Sequence, residues 1–367
     1  MGVRLSIFWL LVLTSMAIAK PLEIKWDKAT QRLIEPGALY GRMIRLQSGA
    51  ILCCYEKGGA SWTKISRNEG LTWSAAVLVA KSDFGAAANP EIMQLKNGDV
   101  LLFFNLRPRD GQSDKKHAFA IGMARSRDEG ASWQMREAPL YEAGTTFENG
   151  CWEPCARQLP SGEILLFFAD EGPYTKSNEQ QISLMISRDN GDSWDAPRAF
   201  SFRKGHRDGM PVPLLLPDGG LAVAIEDNGL TPDNHFKPVI IYAPRGYDWN
   251  APPVDAESPR RWAAVERWPA NVYAGAPYLI RLPNGVTLLS VQSDEGRAGA
   301  PQMVVYVGDE RSQNFASPSV PFGLSEGVKG QWNSLFARSE NAVTALTSAR
   351  LEGTFGLWAI DGKVSTP

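Results

Sequence analysis

Two glutamates pose the chemical question. Glu153 stands in CWEPC and Glu226 in AIED, 73 positions later. Two carboxyls brought into one pocket can divide a cleavage reaction between them. One protonates the leaving oxygen while the other attacks the anomeric carbon or activates water, as glycosidic bonds require. Which of the two would hold the proton is open. Asp208 and Glu91 are rivals for either role. Arg42 and Arg207 offer rigid forked donors that orient hydroxyls or keep carboxylates ionised, and Arg107, Arg109 and Glu171 lie close by in the sequence pattern. Trp152, Trp332 (with Asn333 beside it) and Tyr278 present rings for a sugar to stack on; for the two tryptophans, packing within the fold is the competing reading.

These residues recur at corresponding places in a repeated frame. LQSGAILCCYE, LKNGDVLLFFN, LPSGEILLFFA, LPDGGLAVAIE and LPNGVTLLSVQ each read as strand, tight turn, strand, about the glycines Gly49, Gly98, Gly162, Gly219 and Gly285. Asn-Gly and Asp-Gly turn a hairpin because glycine reaches positive φ without a Cβ clash. LFARSENAVTALTS is a weaker sixth copy, with Asn341 at its turn.

A second phrase follows three of these hairpins: SRNEGLTW, SRDEGASW and SRDNGDSW, their tryptophans 60 and then 61 residues apart. Asn68, Asp128 and Asp189 can accept turn amides, Gly70, Gly130 and Gly191 permit the reversal, and Trp73, Trp133 and Trp194 supply large rings for burial between units. RGYDWNAP and GDERSQNF are degenerate copies. In the second unit EIMQL, DVLLFF, HAFAIGMARS and WQMREA make four strands. Six such units with hardly any helical periodicity predict an all-β fold, a six-bladed β-propeller of four-stranded antiparallel blades. LEIKWDKATQRL is expected to complete the last blade beside TFGLWAID and so hide its edge. The phrase turns join third to fourth strands, so first-strand starts and second-strand ends share the opposite face. Arg42, Glu91, Glu153, Arg207, Asp208, Tyr278 and Trp332 fall there, as do Glu56, Asn105, Glu226 and Gln292, each seven residues after its glycine.

The turn phrase S-x-D-x-G-x-x-W is similar to the Asp-box, or BNR repeat, of the sialidase superfamily. The resemblance covers essentially the whole mature chain and implies a six-bladed propeller and an exo-acting glycosidase. YGRMIRL stands where true sialidases carry FRIP, and WNSLFARS where their late tyrosine nucleophile sits. WEP (Trp152–Pro154), RDGMP (Arg207–Pro211) and AIED more closely resemble the family-93 exo-α-L-arabinanases. That resemblance implies two catalytic glutamates about seventy residues apart, a retaining mechanism and an oligosaccharide or polysaccharide partner. An exo-sialidase, or a hydrolase of another acidic sugar, is the alternative within the enzyme class; arginines converging on one pocket would mark it. A non-catalytic propeller that binds carbohydrate or protein is the alternative from outside it, because fold alone warrants no activity.

The ends and the composition limit the rest. Arg4, the apolar run Ile7–Leu13 and Ala17-Ile18-Ala19 predict a signal peptide over 1–19, cleaved near Ala19-Lys20. Residues 20–367 are then expected as one propeller, secreted or periplasmic and monomeric. A net charge of −2 with both signs spread evenly gives no reason to expect nucleic acid, and no later apolar run is long enough to span a bilayer. Cys53, Cys54, Cys151 and Cys155 are spaced for buried thiols with at most one local bridge, and the three histidines lack ligand spacing. No metal and no cofactor is expected.

Overall fold

The hairpin glycines adopt the conformation that only they take freely: Gly49, Gly98, Gly162, Gly219 and Gly285 have φ between +83° and +100°. Each turn joins the two inner strands of a blade in the computed structural model, which describes residues 22–108, 116–266, 268–297 and 299–366. The expected leader with its cleavage point, and Arg109, lie outside the described residues.

Strand β1 (Glu23–Pro36) precedes the first hairpin. Blade one contains β2 (Leu39–Arg45), β3 (Ile51–Lys57), β4 (Ala60–Ser66) and β5 (Val77–Ala80). Blade two contains β6 (Gly85–Gln94), β7 (Val100–Pro108), β8 (Ala120–Ser126) and the short β9 (Gln134–Met135) and β10 (Tyr141–Glu142). Blade three is β11 (Cys151–Gln158), β12 (Ile164–Asp170), β13 (Gln181–Ser187) and β14 (Arg198–Ser201). Blade four is β15 (Asp208–Leu215), β16 (Leu221–Asp227), β17 (Lys237–Ala243) and β18 (Arg261–Ala263). Blade five is β19 (Ala274–Arg281), β20 (Thr287–Ser293), β21 (Gln302–Gly308) and β22 (Ala316–Ser319). Blade six runs β23 (Gly330–Ser339), β24 (Ala342–Leu351) and β25 (Thr354–Ser365), and β1 pairs antiparallel with β25 as its fourth strand. The ring is thus closed by its two ends, as the sequence leads one to expect.

One expected strand is broken. WQMREA supplies only Gln134–Met135, and the outer edge of β8 is completed by Tyr141–Glu142. Pro139 lies between them and has no amide to give the ladder.

The turns between third and fourth strands share one hydrogen-bond pattern. Asn68, Asp128 and Asp189 each accept the amide four residues on, at 2.8–2.9 Å. Ser66, Ser126 and Ser187 accept the amides of Gly70, Gly130 and Gly191 at 2.8 Å. The tryptophans reach the preceding blade: Trp133 donates to Thr63, and Trp194 meets Phe103 edge-on at 5.8 Å. Trp73 packs with Tyr55, Phe336 and Leu357, across the seam between blades six and one.

Candidate functional site

Every first strand begins with a β-bulge, and each bulge holds a non-glycine residue in the left-handed region. They are Tyr40, Asn89, Glu153, Met210, Ala276 and Trp332, with φ from +47° to +56°. The backbone strain of a left-handed non-glycine residue is repeated around the ring at the channel mouth. It is held by a rule that runs blade to blade. Tyr40 donates its amide to Ser348 at 3.2 Å, Asn89 to Glu56 at 3.2 Å, Glu153 to Asn105 at 2.9 Å, Ala276 to Glu226 at 2.7 Å and Trp332 to Gln292 at 3.0 Å. In each case the acceptor is a side chain near the end of the second strand of the preceding blade. Blade three has Ala169 at that position, which offers no acceptor, and the Met210 amide bonds instead to the Glu153 carboxyl.

Glu153 and Glu226 come from blades three and four and meet at this mouth. Burial pushes the Glu153 carboxyl up to about 7, against the pull of Arg107, the Met210 amide and Arg207. Glu226, 9% exposed, is pushed up to about 8, first by burial and then by the negative charge of Glu153. Among the described residues neither carboxyl is paired with a cation in an ion pair. Burial and the negative charge of half-buried Glu153 both oppose ionisation of Glu226, so the pair favours a state with one proton between its two carboxyls.

The other residues singled out from the sequence divide into a wall, a rim and a plug. Arg207 bonds to Glu171 and, at 2.6 Å, to Gln180. Arg107 bonds to Asn89 and lies over the Trp152 ring, 5.3 Å from its centre. Trp152 itself is packed against Phe119 and Phe147, so it belongs to the wall. Trp332 is half-buried with its ring 6.2 Å from that of Tyr40, and it remains on the rim. Beneath the rim, Arg42 and Glu91 form a buried ion pair at 3.1 Å, and the Tyr278 hydroxyl donates to Glu91 at 3.3 Å. The Arg42 guanidinium also lies 3.9 Å from the Tyr40 ring centre and 4.8 Å from that of Tyr278. These three side chains plug the channel.

Asp208 departs from its expected place. It is wholly buried behind the pocket, bonded to Arg261 at 2.5 and 2.8 Å and to Ser201 at 2.9 Å. Strand alternation explains this: Asp208 pairs across the sheet with Asp227, whose side chain faces away from that of its neighbour Glu226. Glu56, Asn105 and Gln292, expected as charges and polar groups at the mouth, act as the amide acceptors described above. All four cysteines are free and buried.

Sequence reasoning missed Tyr273. Its hydroxyl and a Glu226 oxygen flank Gly275 so closely that a Cβ there would lie 2.7 Å from the one and 2.4 Å from the other. Gly209 is hemmed in likewise by Glu226 and Gln180, each 2.9 Å from a built Cβ. A legible signal existed: a glycine directly before the bulge residue in RDGMP and YAGAP, where the other four units carry Leu39, Ala88, Trp152 and Gln331. These glycines make room for one carboxyl.

No family model matches the sequence, and no curated protein matches it significantly. Solved structures do match along nearly the whole chain. The α-L-arabinanase of Penicillium chrysogenum, complexed with arabinobiose, is 17% identical with a TM-score of 0.70, over 92% of this chain and 98% of that one. The family-93 α-L-arabinofuranosidase of Fusarium graminearum, also bound to arabinobiose, is 17% identical with a TM-score of 0.68, over 95% and 97%. NanB sialidase of Streptococcus pneumoniae is 12% identical with a TM-score of 0.60, over 90% of this chain and 70% of that one. The chain therefore shares its six-bladed propeller fold with the family-93 arabinan-degrading enzymes and with a sialidase, at the higher TM-scores with the former.

Proposed function

We propose that the protein is an exo-acting glycoside hydrolase that cleaves α-L-arabinan, with Glu153 and Glu226 as its two carboxyls. The observation that carries this reading is the pair itself: buried Glu226 and half-buried Glu153, mutually repelling acids at one channel mouth, without ion-pair partners among the described residues. Similarity of fold to two enzymes bound to arabinobiose supports the sugar class. The state of the arginines supports a neutral sugar over an acidic one. Among the described residues Arg42 is paired with Glu91 and Arg207 with Glu171, and Arg107, bonded to neutral Asn89, is the one of the three without a carboxylate partner.

The electrostatics support one division of roles. Arg107 and Arg207 both favour ionised Glu153, whereas the strongest charge acting on Glu226 is the repulsion from Glu153. The shared proton then rests on Glu226, which acts as general acid toward the leaving oxygen. Ionised Glu153 attacks the anomeric carbon; deprotonated Glu226 next activates the water that releases the sugar with retained configuration. Tyr273 lines the same pocket beside Glu226.

Linear 1,5-α-L-arabinan and sialyl-lactose, offered in parallel to wild type, Glu153→Gln and Glu226→Gln, test the reading. Release of arabinose or arabinobiose by wild type alone is expected. An aryl arabinofuranoside with a good leaving group should partly restore turnover in Glu226→Gln and not in Glu153→Gln. Release of sialic acid, or binding of sugar without turnover, would overturn it.

A further inference from the structure

Below the plug of Arg42, Glu91 and Tyr278 the central channel reopens toward the face that carries the third-to-fourth-strand turns. This lower chamber has a volume of about 530 Å³ and is walled by the first strands of all six blades, a size in the range of ligand pockets. Four residues beyond the left-handed residue of each first strand stand Ile44, Met93, Arg157, Leu214, Ile280 and Phe336. Five blades are apolar at this level and blade three carries an arginine.

Arg157 is exposed on the chamber wall. Arg281, from blade five, lines the same chamber. Neither guanidinium has an ion-pair or hydrogen-bond acceptor among the described residues, in a molecule where Arg42, Arg107, Arg207 and Arg261 are all engaged. The two sit near enough for the charge of Arg281 to act on Arg157. The one carboxylate of the chamber wall, Glu91, is already committed to Arg42. Lys96 on the same wall adds a further positive charge, and Arg45 there is paired with Glu69. Each arginine brings five donors in a fixed fork, and a shared oxyanion satisfies two such forks while removing their repulsion.

We propose that this chamber is a second binding site, separate from the carboxyl pocket, that takes an oxyanion between Arg157 and Arg281. The ligand class is a sulfate, phosphate or carboxylate, free or borne on an acidic sugar. The site does not depend on the hydrolase reading.

Isothermal titration of the full chain tests it, with sodium sulfate, sodium phosphate and a short oligogalacturonate, each at constant ionic strength in chloride. Saturable binding of at least one is expected, weakened tenfold or more in Arg157→Ile, which restores the residue of blades one and five, and in Arg281→Gln. Arg157→Lys keeps the charge without the fork and should fall between. Binding of the inorganic ions alone assigns a free anion, and binding of the oligogalacturonate alone assigns a sugar-borne carboxylate. Absence of saturable binding to all three, or equal affinity in wild type and folded Arg281→Gln, would overturn the site whether or not Arg157→Ile folds.

Discussion

Blade four carries two buried acids side by side on one strand, and they live in opposite environments. Asp227 joins Asp208 behind the pocket, where Arg261 bonds to both and Arg203 reaches Asp227 at 2.9 Å. Glu226 joins Glu153 at the channel mouth, where the hydrogen bonds come from the amides of Ala276 and Met210 and no arginine is bonded to either carboxyl among the described residues. The first pair is wholly buried, and the second joins buried Glu226 to half-buried Glu153. Only the first is neutralised by hydrogen-bonded arginines. Burial with compensation holds a blade together, and burial without it leaves a proton to be moved.

The largest expected effect strikes the uncompensated pair. Glu153→Gln and Glu226→Gln keep the acceptors for the Met210 and Ala276 amides, so each should lower kcat on arabino-oligosaccharides by about a thousandfold or more. Their melting temperatures should stay near or above that of wild type, read by calorimetry. A comparable loss of both activity and stability would mean the two pairs do the same job.

Breaking the compensated pair should do the reverse. Arg261→Met strands two buried carboxylates and should cost about 3–5 kcal/mol in denaturant unfolding. The kcat of the fraction that remains folded should be close to that of wild type.

A subtler difference separates the pairs in pH. The Glu226 carboxyl, near 4.5 when unfolded, is held at about 8 in the fold, so the native state binds the extra proton between those limits. Stability conferred by this group is therefore present at low pH and is lost as pH rises from about 4.5 to about 8. Melting curves of Glu226→Gln and wild type should diverge across that window, with the variant more stable above about pH 8 and no longer gaining beyond it.

The smallest effect belongs to the turns. Asp128→Ala removes the acceptor of the Ser132 amide and hydroxyl and should cost about 1 kcal/mol, with kcat unchanged.

Much of this was legible in the residues. The glycines of the hairpins and the repeated turn phrase specify the number of blades, because turn conformation is local. Position along a strand is local too, so placing Glu153 and Glu226 on one face follows from alternation and the hairpin count. What one strand offers another across the ring is not local. The fate of Asp208 depended on Arg261, 53 positions away, and Tyr273 came to the site only through its proximity to Glu226. WQMREA carries the pattern of a single strand, and the break comes from Pro139 just beyond it, which has no amide for the ladder. The ring of left-handed residues left no trace in composition, since tyrosine, asparagine, glutamate, methionine, alanine and tryptophan all occupy it. Their common feature is the partner in the preceding blade.

The central claim is that Glu153 and Glu226 share a proton in one pocket. Carboxyl carbon-13 NMR of glutamate-labelled protein, titrated in wild type and in Glu153→Gln, tests it directly. The account predicts a wild-type Glu226 resonance that titrates near pH 8 and moves to lower pH when the charge of Glu153 is removed. A Glu226 resonance that titrates near 4.5, or is unmoved by that substitution, would contradict it.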